Sequence, residues 1–182
     1  MPKLGYLISQ YPAVSHTFVF REVEGLRALG FDIACASINP SQALLENEKE
    51  EAKKTFIVKN GSLLAPFRRP LKFITTLIKA FFKLGFRRKT LYYTVEAFIL
   101  NEWIQKENFF HLHVHFANPA ATVGLIHSWI DGTPYSITVH GPDEFYDTSI
   151  NNLKLKFEEA QFLIAISHYT KSQILKSVRR DV

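Results

Sequence analysis

Three segments carry side chains able to do chemistry. In Thr138-Val139-His140-Gly141-Pro142-Asp143-Glu144 an apolar run ends in a histidine, a glycine and a loop with two carboxylates. His140 titrates near neutral pH, so it can exchange protons or donate to developing charge. Gly141 lets a ligand approach the backbone closely, and Asp143 can accept hydrogen bonds from ligand hydroxyls. The second segment, His111-Leu112-His113-Val114-His115, puts three imidazoles on one face of a strand, because residues two apart share a face. The third is the polar stretch Ser9 to Thr17. Ser15 or Thr17 is placed to cap the helix that follows, and the free N–H groups of a helix start can hold an anion or a hydroxyl.

Each segment also has a plainer reading. Ser15 caps a helix whether or not a ligand is present. The lower histidines of the triplet pack beneath a helix, while His115, at the strand end, reaches the crevice. No metal is expected: one strand cannot close a tetrahedral site, and no cysteine or H-E-x-x-H helix supplies further ligands. No G-x-G-x-x-G follows the first strand, no G-x-x-x-x-G-K-[ST] occurs, and no G-x-S-x-G elbow occurs, so dinucleotide, P-loop and hydrolase chemistry lose their main support. Cys35 is the single cysteine and lies in the apolar run Ile33 to Ile38; it reads as a small core residue, with no disulfide within the chain.

The elements that must position these residues alternate almost from the first residue. Strands are expected at Lys3 to Ser9, Asp32 to Ile38, Phe56 to Val58, His111 to Phe116, Tyr135 to His140 and Phe162 to Ile166. Between and after them fall helical patterns at Thr17 to Leu29, Ser41 to Lys54, Leu71 to Leu84, Lys89 to Lys106, Ala120 to Ile130, Leu153 to Glu159 and Tyr169 to Ser177. Short, wholly apolar strands alternating with helices argue for an α/β fold: a Rossmann-like parallel sheet of about six strands with helices on both faces. The 182 residues suit one well-buried core, and no repeat or low-complexity linker divides them.

The net charge of +5 is an average over two unlike regions. Eleven of the 22 Lys and Arg lie between Glu51 and Glu96, where there is no acidic residue; the remainder is acidic. No stretch qualifies as a signal-peptide core, and the longest apolar stretch, Leu71 to Phe86, is broken by Lys72, Lys79 and Lys83. The chain therefore reads as cytoplasmic.

Four segments in order resemble the N-terminal domain of glycosyltransferase family 4, especially transferases of exopolysaccharide and colanic-acid type: YLISQYPAVSHTFVFREVEGLRALGFDI, HVHFANPAATVGLI, PYSITVHGPDEFYD and FLIAISHYTKSQIL. The resemblance implies a GT-B architecture, in which two Rossmann-like domains face each other across a cleft. The first binds the acceptor; the second holds the nucleotide sugar, and transfer retains anomeric configuration, generally without a metal. It implies that His140 is the cleft histidine near the reacting centre, and that Ser15, Thr17, His115, Gly141 and Asp143 belong to the acceptor side. No cofactor is implied; the nucleotide sugar is a substrate of the complete enzyme. The family's Ser-Glu-Thr-Phe is here Ser15-His16-Thr17-Phe18, with an imidazole in place of a carboxylate. The donor site would lie in a C-terminal domain absent from this sequence, so the chain is expected to be inactive alone. Glu22, Glu24 and Glu46 to Glu51 fall on helices expected to be solvated and do not replace that domain's acids.

Residues 66–106 read as a basic amphipathic helical insertion. Arg68, Arg69, Lys72, Lys79, Lys83, Arg87 and Arg88 form a candidate membrane-facing set. On the first helix Lys72, Thr75, Thr76, Lys79 and Lys83 share one face, with Ile74, Ile78, Phe81, Phe82 and Gly85 opposite. That apolar face suits either the acyl boundary of an anionic membrane or packing on the sheet. Nucleic acid is not an expected partner, because the phenylalanines repeat at helical spacing. The expected partners are a glycan or lipid-linked sugar acceptor, a donor domain in cis or trans, and an anionic membrane surface, with peripheral placement on the inner face of the membrane. The alternative is a non-catalytic binding module or gene remnant that binds a partner chain or membrane.

Overall fold

The structure, a computed structural model, describes residues 3–41, 45–146 and 152–178. The expected helix start at 42–44, the far end of the loop at 147–151 and the chain end at 179–182 lie outside the described residues.

Six parallel strands form one sheet: β1 (Lys3–Gln10), β2 (Asp32–Asn39), β3 (Phe56–Ile57), β4 (Phe109–His115), β5 (Tyr135–Val139) and β6 (Phe162–Ala165). Their spatial order is β3-β2-β1-β4-β5-β6, so this is the expected α/β Rossmann-like sheet. The helices are α1 (Thr17–Ala28), α2 (Glu46–Lys54), α3 (Ala65–Arg68), α4 (Pro70–Leu84), α5 (Arg88–Glu107), α6 (Pro119–Asp131), α7 (Leu153–Glu159) and α8 (His168–Ser177). Glycine or asparagine in the left-handed region stops several of them: Gly132 after α6 at φ 76°, and Asn108 after α5 at φ 57°.

Two apolar layers form on the two faces of the sheet. Tyr6, Ile8, Ile33 and Cys35 meet Val19, Phe20 and Val23 of α1. Leu7, Ala36, Leu112, Val114, Ile137 and Val139 meet α5 to α8 on the other. At the centre of the second layer α6 lies close to β4, because Gly124 has no side chain: a Cβ there would come within 3.0 Å of Val114 Cγ2. Cys35 is buried, and burial pushes its thiol pKa up, as a core cysteine requires.

The acidic helices are not uniformly solvated. Arg27 Nη1 donates to Glu51 Oε2 at 2.8 Å and its Nη2 to Oε1 at 3.1 Å, while its Nε donates to the Ile33 carbonyl. Glu48 and Glu51 are both buried, so α2 is tied to α1 through this pair.

The basic segment departs from the expected faces. On α4 the side packed inward carries Thr76, Ala80 and Leu84, with Phe73 against Phe98 of α5. Ile74, Ile78 and Phe82 face outward and are exposed, so the apolar face does not pack on the sheet. Small residues let the neighbouring helices approach, and the large ones are left outside. Among the described residues no helix is long and apolar enough to cross a membrane.

Candidate functional site

The strand order reverses between β1 and β4. Chain leaving β1 turns toward β2, and chain leaving β4 turns toward β5, so a gap opens at their carboxyl ends. Open α/β sheets bind ligands at such a point. Here it is an open crevice of about 790 Å³. Ser15, His16, Phe18 and Glu22 line it from the start of α1; Phe116, Thr138, His140, Ile164 and Ile166 line it from the ends of β4, β5 and β6.

His140 follows the last residue of β5 and is half-buried. Its ring lies 4.8 Å from that of Phe18 and 4.4 Å from that of Phe116, centroid to centroid. Burial, helped by the neighbouring His115, lowers its pKa to about 4, so His140 is neutral at physiological pH.

The loop bearing His140 is held by a clamp. Glu144 Oε2 accepts from the backbone N–H of His140 at 2.6 Å and of Gly141 at 3.1 Å. Its Oε1 accepts from Ala117 N–H at 2.5 Å, joining the loop after β5 to the loop after β4. Behind this, the buried Lys156 of α7 donates to the carbonyls of Ala117 at 2.8 Å and Asn118 at 2.9 Å. Burial lowers the Lys156 pKa to about 7, with Glu144 pulling the other way. Asn118 in turn caps α6, accepting from Ala120 N–H, and takes a hydrogen bond from Ser9 of β1. Glu144 and Lys156 thus fix the two loops, after β4 and after β5, that border the crevice.

Beneath His140 runs a chain of polar groups. His140 Nε2 lies 3.0 Å from His115 Nδ1. His115 is fully buried, and its Nε2 faces Glu22 Oε1 at 3.5 Å, long for a formed hydrogen bond. Glu22 also accepts from the Tyr6 hydroxyl at 3.0 Å. Burial disfavours the Glu22 anion, but the nearby His115 ring and the Tyr6 hydroxyl outweigh it and lower its pKa. An ionised Glu22 draws the His115 proton to Nε2, leaving an Nδ1 lone pair. His140 Nε2 must then carry the hydrogen between the two rings. The remaining nitrogen, His140 Nδ1, is left as an acceptor, with no protein partner among the described residues.

Glu22, His113 and His115 are the described residues whose ligand atoms lie close enough to share a cation. His113 already bonds Ser136 at 2.7 Å through Nδ1 and Thr138 at 2.9 Å through Nε2, and His115 Nδ1 bonds His140. A cation there would cost His113 one of its two hydrogen bonds, whereas His115 Nε2 has none to lose.

The expected site residues divide into groups. His140 and Ser15 line the crevice. His115 does not line it but lies below, with its Nδ1 3.0 Å from His140 Nε2. Thr17 borders a different hollow, with Phe20 and Glu24 of α1 and residues of α2. Gly141 is held by Glu144, and Asp143 is exposed on the turn beyond it. Neither Ser15 nor Thr17 caps α1: a 3-10 turn, Val14–His16, runs directly into the helix without a side-chain cap. His16, standing at the variant position, uses Nδ1 to donate to the Gln10 carbonyl at 3.0 Å and places its ring against Phe116. Of the basic set, Arg68 pairs with Glu102, Arg69 with Asp131, and Lys79 stands over the Trp129 ring, while Lys72, Lys83, Arg87 and Arg88 have no acidic partner among the described residues.

Glu22, Glu144, Lys156, Phe18 and Phe116 were not singled out from sequence. Glu22 lies four residues after Phe18, so one helical face carries both to the crevice. Glu144 falls three residues after Gly141 at a turn start, a spacing that suits reaching back to the backbone. Lys156, within Leu-Lys-Leu-Lys-Phe, gives no sign of its burial.

No curated protein matches the chain. The family model described as Glycosyltransferase Family 4 matches residues 15–181. That span takes in the crevice residues from Ser15 to Ile166, with Glu22, His115, Glu144 and Lys156, while Tyr6 and Ser9 precede it. The chain belongs to Glycosyltransferase Family 4.

Proposed function

We propose that this chain is the acceptor-binding side of a retaining glycosyltransferase of exopolysaccharide or colanic-acid type, moving a sugar from a nucleotide sugar to a glycan or lipid-linked acceptor. The observation that carries the reading is the lining of the crevice. Two phenylalanine rings, a neutral histidine and a serine suit the apolar faces and hydroxyls of a sugar. Among the described residues no Lys or Arg lines it, and Glu22 is anionic, so a pyrophosphate would meet repulsion rather than a clamp. The nucleotide sugar is therefore held by a second domain, in cis or in trans, facing the crevice. His140 accepts a hydrogen bond from a sugar hydroxyl through Nδ1, Ser15 supplies a second polar contact, and Phe18 and Phe116 stack on the ring. Gly141 and Asp143 shape the rim, and no cofactor or metal takes part.

Ligand-observed saturation-transfer NMR tests this with neutral mono- and disaccharides against UDP and GDP. The reading predicts transfer to saccharides, lost in His140→Ala, and none to the nucleotides. Nucleotide binding in the crevice without saccharide binding would replace the acceptor reading with a donor one.

A further inference from the structure

The apolar side of α4, expected to suit either an acyl boundary or the sheet, lies exposed. Leu71 is 80% exposed, Ile78 49% and Phe82 85%, with Ile74 between them. Spacings of three and four residues put them on one stripe of the helix. Phe67 of α3 extends it at one end, and Phe86, 85% exposed, at the other. Isolated exposed side chains are ordinary, but a continuous stripe of large ones is not.

We infer that this stripe inserts into the interface of an anionic lipid bilayer, with α4 lying along the surface. Charge selects the occupant. Lys72, Lys83, Arg87, Arg88 and Lys89 carry no ion pair among the described residues, and no acidic residue occurs between Glu51 and Glu96 to offset them. A second copy of the chain would set two such cationic rims against each other. An anionic lipid surface satisfies both features, because head groups meet the cations while the acyl boundary takes the aromatic and aliphatic side chains. Three other cations are already engaged: Arg68 with Glu102, Arg69 with Asp131 and Lys79 with Trp129. The free charge is thus concentrated at the carboxyl end of α4.

That end also holds a head-group site. A cleft of about 140 Å³ is lined by Leu84, Arg87, Lys89 and Thr90, with Pro119 and Thr122 of α6 and Lys156 of α7 also bordering it. Its size suits one phosphate beside Arg87 and Lys89, Lys156 being already bonded to the Ala117 and Asn118 carbonyls. Because α6 begins where β4 ends, this cleft lies at the same edge of the sheet as the histidine crevice. A lipid-linked acceptor would be presented near His140 by that arrangement. The docking itself rests on α3 and α4 and stands whether or not sugars bind at His140.

Flotation with phosphatidylcholine–phosphatidylglycerol vesicles and with phosphatidylcholine-only vesicles tests the inference. The wild-type chain should bind the anionic vesicles and lose most of that binding at high salt. Replacing Lys83, Arg87, Arg88 and Lys89 by Gln should weaken partition at least about a hundredfold, since each cation near such a surface contributes about a factor of five. The Ile74→Ser, Ile78→Ser, Phe82→Ser variant should weaken it at least about tenfold even at low salt. These side chains are exposed, so an unchanged circular dichroism melt confirms that both variants fold. Full binding by the serine variant would reduce the contact to surface adsorption and overturn insertion. No binding to either vesicle, or a wild-type dimer that the serine variant dissociates, would overturn the lipid assignment.

Discussion

Replacing Glu144 by Gln isolates the clamp that holds His140. The carboxylate receives three backbone N–H groups, two on Oε2 and one on Oε1. A glutamine has one acceptor oxygen, which can keep the His140 and Gly141 pair. Its NH2 then faces the Ala117 N–H, donor against donor, and leaves that group unsatisfied at about 1–3 kcal/mol. The two retained bonds fall from charge-assisted to neutral, at about 1 kcal/mol each. Lys156 also loses its nearby counter-charge while still buried. Against these losses stands the relief of no longer burying a carboxylate, whose pKa burial has raised. The balance is a loss of about 2–4 kcal/mol. Urea unfolding followed by circular dichroism reads it directly, as a shift in midpoint at unchanged m-value. A loss under about 0.5 kcal/mol would refute the argument that one carboxylate fixes both loops.

Further outcomes follow from the same contacts. Glu22→Gln removes the anion that holds the His115 proton on Nε2, so the tautomer populations of His115 and His140 should mix in long-range 1H–15N spectra; unchanged ring shifts would contradict the relay. Burial depresses the pKa of His113 to about 3 and those of His127 and His140 to about 4, with neighbouring histidines adding at His113 and His140. The unfolded chain protonates these rings near pH 6.5, so between that pH and about 4 it binds more protons than the folded one, and stability must fall as pH falls. The fully buried His127 contributes about 3 kcal/mol of that loss by pH 4, and His127→Met should flatten the acid limb of a stability-versus-pH curve. Gly124→Val drives methyl groups toward Val114 and Leu112 and should cost about 1–3 kcal/mol, measured by thermal melting.

Much of this fold was legible because its strands are short, apolar and bounded by turn residues. Tyr135 to Val139, closed by His140-Gly141-Pro142, is a strand by any local criterion, and parallel pairing follows from the helices on either side. What periodicity could not supply was which side of a helix the protein keeps. On α4, Ile74, Ile78 and Phe82 have the composition of a core face, yet Thr76 and Ala80 occupy it, because a crowded contact between helices selects small volume over hydrophobicity. The site shows the same division. His140 stood out by its place at a strand end. Glu22 looked like one of several acids on a solvated helix, although Phe18, one turn earlier, shares its face. Lys156 had no local signal: its burial depends on two carbonyls almost forty residues away in sequence, which only the closed fold brings to it.

The most direct test of the central claim is a titration of the folded chain with neutral saccharides, followed by the ring-nitrogen resonances of its histidines. The acceptor reading predicts that His140 Nδ1 shifts most, with a smaller change at His115 and none at the fully buried His127. Saturable binding that moves none of the crevice histidines, or no binding up to the solubility of the sugars, would contradict it.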